Sequence, residues 1–198
     1  MRRYVPLALF FALVLPVAAQ PITVGSSLPQ GDLALTQADG GQTTLRGLMG
    51  ENGLVVAFWS NVCPWTERYT ERLVILARDY QPTGINFVAV NANDSTRFPE
   101  EDVATMRLTA DRDGFRFPYV VDPGSALATA FGARNTPQFY FFSADGVLRY
   151  EGALDSSPAD ASRAEDTYLS DAMDQSLAGQ EVEVQRTNAL GCTIKKAE

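Results

Sequence analysis

The chain has 198 residues, a formal net charge of −8 at pH 7, no histidine and only two cysteines. The lack of histidine excludes a histidine-ligated metal site and a Ser-His-Asp triad. Two cysteines are too few to hold a zinc ion or an iron–sulfur cluster by themselves, so we expect no metal and no other cofactor. The excess of negative charge disfavours nucleic acid and anionic lipid surfaces as partners.

Residues 1–19 have the layout of a secretory signal peptide. Arg2 and Arg3 precede an apolar run from Val5 to Val17, and small residues continue to Ala19. The alternative is a membrane anchor, but the run is far shorter than the roughly 20 residues that span a bilayer. We therefore expect a protein secreted to the bacterial periplasm, without membrane contact after cleavage. Residues 20–198 would then form one domain, with a tail over residues 180–198.

Strand and helix signals alternate along this domain. Continuous apolar runs predict buried strands, and apolar residues three and four apart predict helices. Strand–helix–strand units favour parallel strands with helices on both faces, and the Asp145-Gly146 turn predicts a closing antiparallel hairpin. We therefore expect an α/β fold with a mixed sheet. The expected elements are a hairpin at 33–45, a strand at 53–60, a helix at 63–80, a strand at 84–93, a helix at 99–114, a strand at 118–122, a helix at 125–133, a hairpin at 137–154, a helix at 158–179 and an irregular tail.

Four carboxylates lie at or just before the start of the helix expected at 99–114. They are Asp94, Glu100, Glu101 and Asp102. Acidic side chains at this end favour the helix dipole, so we expect all four to be solvated. Their spacing does not indicate a metal site or a glycosidase pair.

Cys63 follows a buried strand and is followed by proline, in the segment "FWSNVCPWTERY". Pro64 suits the first helical position, which makes Cys63 the N-cap. Unpaired backbone N–H groups and the helix dipole at that position favour thiolate over thiol. Thr66, three residues on, can aim its hydroxyl at the sulfur but cannot act as a second thiol. The alternative is a buried structural cysteine, since free cysteine is often buried.

The segment "NTPQFYFF" contains a Thr136-Pro137 pair before a strongly apolar strand. Proline is disfavoured inside a strand ladder, so we expect it at the beginning of the strand. A cis bond is accessible before proline and would bring the backbone of residue 136 next to the thiol at the end of the neighbouring strand. The alternative is an ordinary trans proline at a strand start.

Taken together, these motifs resemble the thioredoxin superfamily. They are W-x-x-x-C-P at a helix start and T-P before a strand hairpin. The stretch between them resembles the redoxin branch, related to alkyl hydroperoxide reductase C and thiol-specific antioxidant proteins (AhpC/TSA). The closing "ALGCTIKK" resembles the terminal motif of secreted members. The resemblance implies a thioredoxin-like three-layer sandwich with a mixed sheet, an extra strand–helix insertion and an N-terminal β-hairpin.

The resemblance also implies roles for individual residues. Cys63 occupies the nucleophile position and Pro137, preceded by Thr136, the cis-proline position. Trp65 stands where related folds have a surface residue beside the thiol, and we expect it to form a shallow substrate surface or else to pack inward. Thr66 stands where thioredoxins have a second cysteine, so no local disulfide can form.

The peroxiredoxin pattern is met only in part. Ser60 replaces its threonine acceptably, but Val56 stands where its proline should be. Arg134, close to the Thr-Pro loop, is the candidate for holding a peroxide. The resemblance therefore implies a thiol oxidoreductase more directly than a peroxidase.

Cys192 in the tail is the other cysteine, and its relation to Cys63 has three alternatives. The tail can fold back so that Cys192 resolves a mixed disulfide or sulfenic acid on Cys63. The two can instead form a permanent structural bridge, or both can stay unpaired. Two distant cysteines give no geometric information by themselves.

We thus expect a thiol–disulfide oxidoreductase or a peroxiredoxin-like antioxidant protein that uses Cys63, with Cys192 as a possible second catalytic cysteine. Its partners would be protein or small-molecule thiols and disulfides, or peroxide. The alternative is a non-catalytic thioredoxin-fold binding module with a structural disulfide.

Overall fold

The computed structural model describes residues 22–197. The signal peptide that we expect at 1–19 therefore lies outside the described residues. Within them no helix has both the length and the apolar character needed to cross a membrane. The strands are β1 (Leu35–Gln37), β2 (Gln42–Thr43), β3 (Gly53–Trp59), β4 (Ile85–Asn91), β5 (Tyr119–Val121), β6 (Asn135–Thr136), β7 (Gln138–Ser143), β8 (Leu148–Gly152) and β9 (Cys192–Thr193). The helices are α1 (Pro64–Tyr80), α2 (Val103–Asp113), α3 (Ala126–Phe131) and α4 (Tyr168–Leu177).

Seven strands form one mixed sheet in the order β2-β1-β5-β4-β3-β7-β8. The central strands β3, β4 and β5 are parallel, and β3 is buried along its whole length. The hairpin β7–β8 pairs antiparallel with β3 on one side, and β1 and β2 extend the other side antiparallel. The mixed sheet that we expected is confirmed, including the N-terminal hairpin.

Helices cover both faces of the sheet, which gives three layers. Tyr69 and Leu73 of α1 and Met173 of α4 pack in one buried cluster with alternate residues of β3 and β7. Leu127 and Phe131 of α3 pack on the other face, against the remaining residues of the same strands. Because the side chains of a strand alternate between faces, each apolar run supplies both cores.

Two expected helices are shorter in the structure. The helix expected at 158–179 is only α4, and the residues before it form a loop that includes a short 3-10 turn, Ala161–Arg163. The guanidinium of Arg72 binds the carbonyl oxygens of Ser157 and Pro158 in this loop, so tertiary contacts replace the helix. The helix expected at 99–114 is divided into a 3-10 turn, Pro99–Glu101, and α2.

The division has a local cause. Asp102 adopts an extended conformation as the N-cap of α2, and its carboxylate accepts a hydrogen bond of 2.7 Å from the backbone N–H of Thr105. An N-cap residue of this kind begins a helix, so the preceding turn cannot continue into it.

Candidate functional site

Cys63 lies at the carboxyl end of β3 and at the N-terminus of α1. It is the N-cap of that helix, in an extended conformation, and Pro64 is the first helical residue, as the sequence predicted. Its exposed fraction is only 3%. The sheet and helix therefore fix the position of this sulfur from both sides.

Cys63 and Cys192 are joined by a disulfide, with their Cα atoms 6.1 Å apart and 129 residues between them in sequence. The alternative that both thiols are unpaired is therefore not the state that the structure describes. Cys192 is partly exposed, unlike Cys63. The second sulfur comes from the C-terminal tail and not from the helix, where Thr66 stands.

The Thr136-Pro137 loop lies against the disulfide. The Thr136-Pro137 peptide bond is cis, and Pro137 directly precedes β7. The carbonyl oxygen of Thr136 is 3.1 Å from the sulfur of Cys63. A disulfide sulfur carries no hydrogen, so this is a close contact rather than a hydrogen bond. The expectation that the backbone of residue 136 lies beside the thiol position is confirmed.

The tail is held on both sides of Cys192 by backbone hydrogen bonds. Strand β9 pairs antiparallel with β6, which places Cys192 opposite Thr136. Before it, the carbonyl oxygen of Ala189 accepts a hydrogen bond of 2.6 Å from the Asn135 side chain. After it, the backbone N–H of Ile194 donates to the carbonyl oxygen of Arg134 at 2.8 Å. The prediction of a wholly irregular tail is therefore wrong at β9.

Gly191 permits this close approach. A Cβ atom at this position would collide with the carbonyl group of Thr136 and would lie 3.2 Å from the backbone nitrogen of Pro137. Any other residue would therefore push the tail away from the Thr-Pro loop. Ile194 is buried in the core on the α3 side of the sheet and adds an apolar anchor to the hydrogen bonds.

The last described residues reach the loops after β4 and β5. The ammonium group of Lys196 donates to the carbonyl oxygen of Ala128 at 3.1 Å. Asp122 is buried beneath it, and its carboxylate accepts backbone N–H groups of Leu127 and Ala128 at 2.8 Å each. Burial raises the pKa of Asp122, although these N–H groups and the charge of Lys196 act in the opposite direction. Burial likewise lowers the pKa of Lys196.

Glu101 supports the segment before Cys63, and its burial corrects an expectation. Its exposed fraction is 3%, although we expected a solvated side chain. Its carboxylate accepts hydrogen bonds from the Ser60 hydroxyl at 2.5 Å, and from the backbone N–H of Asn61 and the Asn91 side chain at 2.9 Å each. The Ser60 oxygen in turn accepts from the backbone N–H of Cys63 at 3.2 Å.

This network is the part of the site that sequence patterns did not indicate. A buried carboxylate needs several donors, and those of Glu101 come from the ends of β3 and β4, at Ser60 and Asn61 and at Asn91. Of its members, only Ser60 was an expected site residue, because it stands at the threonine of the peroxiredoxin pattern. Asp102, by contrast, is the helix N-cap described above, and the backbone N–H of Thr105 holds the pKa of its carboxyl below the usual value.

Two other expected site residues, Thr66 and Trp65, lie in the first turn of α1. The Thr66 hydroxyl is buried and directed at the carbonyl oxygens of Ser60 and Cys63, at 2.9 and 2.7 Å, rather than at the sulfur. Trp65 is partly exposed, with the guanidinium carbon of Arg68 5.7 Å from its ring centre.

Within residues 22–197 the guanidinium of Arg134 makes no hydrogen bond to the sulfur of either cysteine. Its side chain is exposed and lines a surface cleft with Arg186 and Asn188. Val56 is buried inside β3, where it pairs with Val88 of β4 and Tyr140 of β7. The peroxide-holding role of Arg134 thus remains a prediction without a contact to support it.

The arrangement permits thiol–disulfide exchange at the two bridged sulfurs. Cys63 can form a bond to an external sulfur when the bridge is open, and Cys192 is placed to close it again. Such exchange needs only a thiolate, a disulfide and an in-line approach.

The fold and the bridged cysteine at a helix start define a thioredoxin-like protein. A solved thioredoxin-like protein in its oxidised form is similar to it, with a TM-score of 0.60 and 25% identity, over 80% of this chain and 97% of that one. The model described as the AhpC/TSA family matches residues 24–151. The chain therefore belongs to the AhpC/TSA family.

Two further proteins are similar to this chain. Thiol-disulfide oxidoreductase ResA of Halalkalibacterium halodurans is 32% identical over 117 residues, which cover 59% of this chain and 62% of that protein. The match thus spans less than two thirds of the relative's length. The solved structure of an uncharacterized conserved protein from Geobacillus kaustophilus is 34% identical, with a TM-score of 0.82 over 92% of this chain and 97% of that one.

Proposed function

We propose that the protein is a thiol–disulfide oxidoreductase in which Cys63 attacks and Cys192 resolves. The observation that carries the proposal is the disulfide between the N-cap of α1 and the anchored tail, next to the cis Thr136-Pro137 loop. A helix N-terminus favours a thiolate, so the reduced Cys63 is suited to attack. The similarity to ResA supports the same reaction class.

The reaction proceeds in two exchanges. The Cys63 thiolate attacks one sulfur of a substrate disulfide, and the other substrate sulfur leaves as a thiolate. The Cys192 thiolate then attacks the sulfur of Cys63, which releases the first substrate sulfur and closes the bridge. The substrate has gained two electrons and the enzyme has lost them.

Apolar side chains around the bridge support a substrate with a peptide body. Val62 is 48% exposed and Leu190 is 51% exposed, and each lies within two residues of one of the cysteines. Trp65 adds a partly exposed ring on the Cys63 side. Exposed apolar side chains of this kind favour contact with a protein or peptide partner.

The residues of the site fit the reduction of disulfides better than they fit the reduction of peroxide. Val56 replaces the proline of the peroxiredoxin pattern, and the Ser60 hydroxyl is directed at Glu101. The guanidinium of Arg134 has no hydrogen bond to either cysteine within residues 22–197. We therefore expect hydrogen peroxide to oxidise the protein no faster than it oxidises an ordinary free thiol.

The proposed compartment is the bacterial periplasm. The expected signal peptide at 1–19 supports it, and so does the disulfide, because disulfides persist in oxidising compartments. Intact mass after alkylation, with and without reductant, tests cleavage and the state of both thiols together. A mature mass that retains residues 1–19 would contradict the proposal.

The test of the reaction uses three proteins on a disulfide-bonded peptide. The reduced wild type should reduce the peptide, and Cys63→Ser should not. Cys192→Ser should accumulate a mixed disulfide on Cys63, seen on non-reducing gels. If Cys192→Ser traps no more peptide than the wild type, Cys192 does not resolve. If Cys63→Ser keeps full activity, Cys63 is not the attacking thiol. If the reduced wild type does not reduce the peptide, the chain is a binding module with a structural bridge.

A further inference from the structure

The two sulfurs of the bridge differ in access. Cys63 is almost completely buried, whereas Cys192 is partly exposed on the tail. An incoming thiolate opens a disulfide by attacking one sulfur in line with the bond, and the other sulfur leaves. Burial of Cys63 therefore restricts the approach to one end of the bond.

The electrostatic surroundings of the two sulfurs favour the same direction. The carbonyl oxygen of Thr136 lies 3.1 Å from the sulfur of Cys63, and its partial negative charge repels an anionic nucleophile there. The N-terminus of α1 stabilises negative charge on Cys63 when it leaves as a thiolate. Cys63 is thus the harder sulfur to attack and the better leaving group.

We propose that the reducing partner attacks Cys192, so that the mixed disulfide of the reductive half-reaction forms on the tail and not on the helix. This inference rests on the proposed oxidoreductase function. The partner thiolate bonds to the sulfur of Cys192, and Cys63 leaves as a thiolate. A second thiolate of the partner then attacks the partner sulfur in the mixed disulfide, and Cys192 leaves. The enzyme becomes a dithiol and the partner a disulfide.

Two features of the tail favour attack at the sulfur of Cys192. Leu190, two residues before it, is 51% exposed and offers an apolar contact beside the exposed sulfur. The pairing of β9 with β6 holds the peptide in place during attack. Each cysteine then meets a different partner, since Cys63 reacts with the disulfide substrate and Cys192 with the dithiol reductant.

The experiment locates the first adduct. Oxidised wild-type protein is mixed with one equivalent of glutathione, quenched in acid at the earliest times, alkylated with N-ethylmaleimide and digested with trypsin. Cys63 and Cys192 fall in separate peptides, residues 47–68 and 187–195. Glutathione should be at least about tenfold more abundant on 187–195 than on 47–68, with the maleimide on 47–68.

A protein probe is the second measurement. A thioredoxin with only its first active-site cysteine cannot complete the reduction, so its mixed disulfide should persist on 187–195. Preferential or equal labelling of 47–68 would overturn the inference, and so would failure of both probes to form an adduct. Neither result would change the trapping expected for Cys192→Ser with a disulfide peptide, so the two proposals fail separately.

Discussion

The two ends of the disulfide are held by different kinds of structure. Cys63 lies between a fully buried central strand and the N-terminus of α1. Cys192 lies on a two-residue strand, held by hydrogen bonds to β6 and by one buried side chain, Ile194. Local stability depends on buried apolar contacts, so the Cys63 end is rigid and the Cys192 end can open first. One thiol is therefore fixed in the scaffold, while the other is on a segment that can move.

Reduction of the bridge should have the largest effect on stability. The bridge closes a loop across 129 residues, and such a cross-link restricts the unfolded chain. We expect the reduced protein to be less stable to urea by about 2–4 kcal/mol. Hydrogen exchange should become faster in the tail before it does in β3. If reduction increased the rate of hydrogen exchange equally in the tail and in β3, the Cys192 end would not be the less stable end.

Glu101→Gln tests the rigid end. Three donors face the carboxylate of Glu101, and an amide would direct its own NH₂ group at one of them. We expect a loss of about 1–3 kcal/mol in the free energy of unfolding, because buried donors would lose their partner. Glu100→Gln is the matched control, since Glu100 is exposed and its substitution should change little. Equal stability of the two variants would show that the network does not support Cys63.

Gly191→Ala tests the mobile end. The added methyl group would collide with the carbonyl group of Thr136 and push the tail from β6. We expect about tenfold weaker closure of the bridge in glutathione redox buffers, equivalent to about 1.4 kcal/mol. Leu190→Ala, at an exposed position of the same segment, is the control. If Gly191→Ala closes its bridge as readily as that control, the tail does not need its close contact with the Thr-Pro loop.

The same contrast explains what the sequence could predict. The buried strands, the N-cap position of Cys63 and the strand hairpin follow local rules of periodicity and capping, and the structure confirms them. The pairing with Cys192 depends on contacts between distant segments, for which local patterns carry no signal.

Errors arose where tertiary contacts replaced local preference. Arg72 binds the carbonyl oxygens of Ser157 and Pro158, at the start of the segment for which the pattern predicts a helix. Glu101, in a run of acids, is drawn into the interior by donors at the ends of β3 and β4. In both cases a charged side chain binds groups far away in sequence.

The smallest expected effect is at the end of the tail, where the charge of Lys196 acts on Asp122. The folded-state pKa of Asp122 is above its ordinary value because of burial, so the folded protein binds this proton more tightly than the unfolded chain does. The contribution of Asp122 to stability is therefore greatest below the ordinary pKa and is lost as pH rises through the folded-state value. The charge of Lys196 opposes this shift.

Lys196→Met should accordingly raise the pKa of Asp122 further and extend the loss of stability to higher pH. Lys196 is partly exposed, so we expect a change below about 1 kcal/mol at neutral pH. Urea unfolding across the acid range measures it, with Lys195→Met as the control, because the Lys195 ammonium lies over the Phe98 ring, 4.1 Å from its centre. An unchanged acid profile in Lys196→Met would mean that the tail end contributes contacts but no charge to the domain.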